Sequence, residues 1–199
     1  RNVAIGYQAL SSENANGSTT AIGYKALNLQ NANAESYNVA VGYEAGVNVS
    51  TGIENTLIGA LAGDAITIGN YNTALGLRSL SENINGDFNT AIGYKALEDY
   101  DDGDGNGHNT AVGSKSQFNA TTGEFNTSLG SLSMGVGVTT GDYNVALGYK
   151  AGEYITSGTQ NTIIGSFAGD ALTTGSSNIA IGYGAMSTAN GTESRNVAI

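Results

Sequence analysis

Apolar and polar positions along this chain follow one short motif, repeated: an asparagine, a Thr or Val, a small residue (usually Ala), an aliphatic residue and a glycine, as in NTAIG from Asn89. Alternation of this kind over four or five residues is the mark of a half-buried β-strand. The motif recurs as NVAIG at Asn2, NVAVG at Asn38, NTLIG at Asn55, NTALG at Asn72, NTAVG at Asn109, NTSLG at Asn126, NVALG at Asn144, NTIIG at Asn161 and NIAIG at Asn178. One further copy, TTAIG from Thr19, has no asparagine. Its closing glycines (Gly6, Gly23, Gly42, Gly59, Gly76, Gly93, Gly113, Gly130, Gly148, Gly165, Gly182) are spaced 17, 19, 17, 17, 17, 20, 17, 18, 17 and 17 residues apart.

A period near 17 is too short for a helix pair, whereas one β-branched stretch per unit suits one rung of a coil. The sequence therefore predicts an all-β parallel β-solenoid, or β-roll, of about eleven rungs of 17–20 residues. Stacked about 4.8 Å apart, such rungs make a rod roughly 50 Å long. The whole chain, 1–199, reads as one repeat array, with an insertion loop at 98–108 in the longest unit. RNVAI stands at Arg1 and again at Arg195, which reads as a segment of a longer fibre.

Within a rung the alternation separates two faces. One carries the residue before the asparagine, often aromatic (Tyr37, Tyr71, Phe88, Phe125, Tyr143), then Thr or Val, then the aliphatic residue; it is expected to be buried. The other carries the asparagine, the Ala position and the glycine, small enough for another backbone to approach. Several chains wrapped about one axis with the Ala and Gly columns inward would bury that second face. Two structural ladders are expected, one of Asn38, Asn55, Asn72, Asn89, Asn126, Asn144, Asn161 and Asn178, the other of the tyrosines after the glycine, Tyr7, Tyr24, Tyr43, Tyr94, Tyr149 and Tyr183. A weaker second strand carries Val49, Ile66, Ile155 or Leu172.

Composition narrows the function. Seventeen acidic against seven basic residues give a formal charge of −10, which repels nucleic acid and anionic lipid. No apolar run reaches the length of a membrane span. With no cysteine and one histidine, the usual nucleophile–base pairs are scarce, and no enzyme is expected. The glycines before the strands match no Walker loop and lead into no helix.

The repeated N-[TV]-A-[IVL]-G stretch resembles the head repeats of YadA-type trimeric autotransporter adhesins, and NTAIGYKAL followed by TTG or NG resembles repeats of bacteriophage tail fibres. The resemblance spans the chain. It implies a homotrimer of left-handed parallel β-rolls in an extracellular fibre, on a cell surface or a virion, giving rigid reach and attachment to a host receptor or glycan. The period here is longer than that of the adhesin heads, so each rung must carry a larger outer excursion.

Three other chemistries are open. The tyrosine column could stack on sugars, although rings one above another also stabilise rungs by themselves. Thr56, Thr73, Thr90, Thr110 and Thr127 share one column, as in an ice-binding solenoid, but Val3, Val39, Val145 and Ile179 take the same slot. In DDGDGNGHNT, Asp102, Asp104, Asn106 and Gly107 spell the first half of a calcium loop, which Asp99 or Asp101 could complete. Its second half is missing, since the twelfth position is Gly113. The sequons at Asn16, Asn48, Asn119, Asn126 and Asn190 matter only where a source glycosylates them.

Overall fold

A computed structural model describes residues 1–13, 17–32, 35–101, 103, 106–188 and 191–199. Each motif forms one short strand: β1 (Val3–Ile5), β2 (Thr20–Ile22), β3 (Val39–Val41), β4 (Thr56–Ile58), β5 (Thr73–Leu75), β6 (Thr90–Ile92), β7 (Thr110–Val112), β8 (Thr127–Leu129), β9 (Val145–Leu147), β10 (Thr162–Ile164), β11 (Ile179–Ile181) and β12 (Val197–Ala198). They make one twelve-stranded parallel sheet in chain order. Like stacks on like: Ala21 pairs Ala40, Thr73 pairs Thr90, and Ile92 pairs Val112. The chain is thus a parallel β-solenoid of about eleven turns. Among the described residues there is no helix.

The two faces lie opposite to the expectation. Asn and Ala point into the coil: Asn38, Asn55, Asn89, Ala40, Ala74, Ala91 and Ala111 are fully buried. Thr or Val and the aliphatic residue point outward, half-buried to exposed along the array. The reason is width. A rung of about 17 residues encloses a single layer of side chains, so the wall opposite leaves room for Ala but not for a second row of Ile.

In most rungs a large apolar side chain fills what remains, and it comes from either of two places. Where the fourth residue after the glycine is Leu or Met (Leu10, Leu27, Leu80, Leu97, Met134), that side chain is in the core. Where that residue is glycine (Gly46, Gly63, Gly152, Gly169), the residue three further on is Val49, Ile66, Ile155 or Leu172, each fully buried. A Cβ on Gly63 would lie 2.7 Å from Leu57 and 2.8 Å from Ile66, and one on Gly152 would lie 2.8 Å from Ile155. Leu57 and Ile163, the large members of the Ala column, sit beside such glycines and use the space they leave.

The turns are tighter than glycine alone would explain. Lys25 and Leu27 adopt φ of 53° and 48°, and every described residue in the position before the asparagine that carries an aromatic does the same, Phe88 at 57° for example. Left-handed backbone is costly for such side chains. Hydrogen bonds between rungs offset that cost, because the flipped peptides point along the axis: Lys25 N–H donates to the Tyr7 carbonyl (2.9 Å) and Leu27 N–H to the Ala45 carbonyl (3.0 Å).

Candidate functional site

The outward face of the sheet is the feature that needs explaining. Two columns run its length, the Thr or Val and the aliphatic residue, and the position before the asparagine adds rings from Tyr71 to Tyr143, with Glu54, Gln160 and Ser177 in other rungs. Phe88 (47% exposed), Leu75 (44%), Leu129 (47%) and Ile179 (40%) are large apolar side chains left in solvent. Four residue steps wide and some eleven rungs long, the face covers roughly 650 Å². Patches above a few hundred Å² on a lone chain mark a contact surface.

Its aromatic edge is a stack. Tyr71, Phe88, His108, Phe125 and Tyr143 lie face to face at 4.7, 4.8, 5.0 and 5.1 Å between ring centroids, within 9° of parallel. His108 therefore takes an aromatic's place in the repeat, directly before Asn109. Only its register after the insertion could have shown this in the sequence. Beyond the glycine corner, Tyr7, Tyr24 and Tyr43 also stack, at 5.6 and 5.2 Å. That second column is broken: Tyr94 has no stacked neighbour in it, and Phe167 meets Tyr149 and Tyr183 edge-on. Rings inside a stack have both faces covered, so a pyranose would find only edges there.

Inside the coil the asparagines form a continuous ladder. Each side-chain oxygen accepts the backbone N–H of the next asparagine, from Asn55 onto Asn38 (2.7 Å) through Asn72 onto Asn55, Asn89 onto Asn72, Asn126 onto Asn109 and Asn144 onto Asn126 (each 2.9 Å) to Asn178 onto Asn161 (3.0 Å). Each amide nitrogen donates to a turn carbonyl of its own unit, such as Asn55 to Gly69 and Asn144 to Gly158 (both 2.8 Å). Asn89, which opens the longest unit, makes no such bond among the described residues. Thr19 stands in where the asparagine is missing, its N–H bound to Asn2 and its hydroxyl held by Gln30 and Ser36. A second ladder, unforeseen in the sequence, lies one residue before the aromatic: Asn70 N–H donates to Asp87 and Glu124 N–H to Asp142.

The acidic turn is only partly defined. Asp102 and Asp104 lie outside the described residues. Asp99 and Asp101 are half-buried, and Asn106 is exposed, its carbonyl accepting from the Tyr100 hydroxyl at 3.0 Å. Burial, and then the charge of Glu98, raise the Asp99 carboxyl above its ordinary range. Among the described residues no three acidic or histidine side chains are grouped as a metal site. The calcium reading thus rests on Asp102 and Asp104, and a calorimetric calcium titration with Asp102→Ala and Asp104→Ala as controls tests it directly.

Elsewhere charges are paired or isolated. Buried Glu98 forms ion pairs with Arg78 from the neighbouring rung and Lys95 from its own, each at 3.0 Å. Asp64, with Leu61 where Lys95 stands in that other rung, makes no ion pair among the described residues, and desolvation, only partly opposed by Arg78, pushes its carboxyl up to about 6. None of this converges on a reacting centre.

Comparisons with protein-family models, curated proteins and solved structures find no match. Function must then be read from the chain's own surfaces. Among the described residues no helix is long and apolar enough to cross a membrane.

Proposed function

We propose that this chain is a structural segment of an extracellular fibre, giving rigid reach and attachment, and that it works as a homotrimer with the outward sheet face turned to the common axis. The observation that carries this is the aliphatic column that runs the length of the face, flanked from Tyr71 to Tyr143 by a continuous stack of rings. Left in water, side chains such as Leu129 and Leu147 would forfeit the burial that stabilises association, about 25 cal/mol for each Å² of apolar surface. Burying a face of roughly 650 Å² on each of three copies removes about 1,950 Å² from water in all, shared among three contacts. The Ala column has no part in it, since it already lines the inside of each coil.

Mass measurement in solution tests this reading. A trimer at micromolar concentration is expected, and Leu129→Lys with Leu147→Lys should dissociate it while leaving the far-UV spectrum intact. A monomeric parent chain at that concentration would end the proposal.

One observation favours a second reading. Thr56, Thr73, Thr90, Thr110 and Thr127 do face outward in one rank, as an ice-binding surface requires. The columns on either side are apolar rather than hydroxylated, which suits a protein contact better. Thermal hysteresis from a monomeric chain would favour ice.

A further inference from the structure

The interior of the rod is not one core but two. Apolar side chains from Leu10 to Ala120 form one contiguous cluster, and those from Met134 to Ala180 form another. Between them the core positions turn polar together. Ser116 and Ser133 stand where most rungs have Ala, Gln117 stands where Leu80, Leu97 and Met134 stand, and Ser128 occupies the Ala column. All four are fully buried.

They bond to one another across the two rungs. The Gln117 amide nitrogen donates to the Ser128 hydroxyl (2.9 Å) and to the Thr110 carbonyl (3.1 Å), and the Ser116 hydroxyl meets those of Ser128 and Ser133 (3.1 Å to the latter). The Gln117 side-chain oxygen has no hydrogen-bond partner among the described residues. A similar buried group at Thr19, Gln30 and Ser36 does not divide the core, because Leu27 keeps that rung's apolar place filled. The rung of Gln117 has no such residue, since its remaining core positions are Ala111 and Ala120.

In a solenoid each rung touches only its neighbours, so cooperativity passes along the rod through successive rung interfaces. At the polar layer the backbone ladder, the asparagine ladder and the outer ring stack continue, as the Asn126 N–H bond to Asn109 shows, while apolar contact inside the coil does not. We propose that the rod is built as two cooperative units that part at the Ser116–Gln117–Ser128–Ser133 layer. A pull or a denaturing stress then opens one unit while the other keeps its fold, which gives a load-bearing fibre a stepwise extension. The division is a property of each coil's interior, and its load-bearing role rests on the fibre function proposed above.

Native-state hydrogen exchange of the full chain in rising, sub-denaturing guanidinium tests it. Amides up to about residue 120 and amides after about 134 should fall on two separate opening isotherms. In Gln117→Leu with Ser128→Ala, which restores a large apolar residue to one column and Ala to the other, the isotherms should merge and exchange in the weaker unit should slow at least about tenfold. Ser128→Ala alone, the milder change, should bring the isotherms part of the way together, and it carries the test if the double variant does not fold. A single isotherm across the parent chain, a division elsewhere such as at the 98–108 loop, or a split unchanged in the folded variants would each overturn the proposal.

Discussion

Replacing Asn55 by alanine isolates what the asparagine ladder contributes. The side chain is fully buried and satisfies two backbone groups at once, accepting from the Asn72 N–H at 2.9 Å and donating to the Gly69 carbonyl at 2.8 Å. Asn55→Ala strands both inside the coil. Each buried unpaired group costs about 1–3 kcal/mol, so the loss should be near 4 kcal/mol, within a range of about 2–6. Asn48→Ala is the control: that side chain bonds the Asp64 carbonyl from the exposed outer turn, and water can replace it, for a loss below about 1 kcal/mol. Urea unfolding followed by far-UV circular dichroism measures the difference, and exchange of the Asn72 amide locates it. Asn55→Asp sharpens the case, because it keeps the acceptor and aims a carboxylate at the Gly69 carbonyl. It should be worse than alanine at pH 7 and recover in acid, where a protonated carboxyl can donate. Were Asn55→Ala to cost no more than Asn48→Ala, the ladder would be a consequence of the coil and not one of its supports.

Three further outcomes are expected. Asp64, raised from 3.8 to about 6 by burial, binds its proton more tightly when folded, so its contribution is full below pH 3.8 and lost as pH rises through 6. The shift alone would be about 3 kcal/mol, which solvent screening of a half-exposed carboxyl cuts to about 1; Asp64→Asn should therefore stabilise the chain at pH 7 and flatten its melting temperature between pH 4 and 7. Gly59→Ala puts a Cβ 2.4 Å from the Gly76 carbonyl oxygen at φ of 138°, where no rotamer change relieves the clash, so it should unfold or shorten the array by calorimetry. Gly152→Leu should destabilise by crowding Ile155, and adding Ile155→Ala should recover part of the loss; a double-mutant cycle with coupling under about 0.5 kcal/mol would refute the exchange of volume between the two positions.

Much of the architecture is legible in the chain. The period, the single strand per unit and the stacking of like on like follow from residues that recur in phase, since a rung of 17 residues can bury its polar backbone only against another rung. The insertion is legible too, as the unit spaced 20. The two faces are separable because alternation of period two always separates them.

Which face turns inward was not legible. Both carry apolar residues, and burying Ile92 rather than Ala91 is the natural expectation from side-chain hydrophobicity alone. Tertiary structure decides otherwise, because the coil is one side chain thick and its asparagines must reach backbone groups found only inside. The same closure puts Lys25 and Leu27 into left-handed turns, aligns His108 with Phe88 and Phe125, and lets glycine at 152 make room for Ile155. Sequence by itself determined the repeat, its length and its phase, which depend on spacing along one chain. Inside and outside, and the place where the core divides, depend on how wide the closed coil is, and that width exists only once the rungs have stacked.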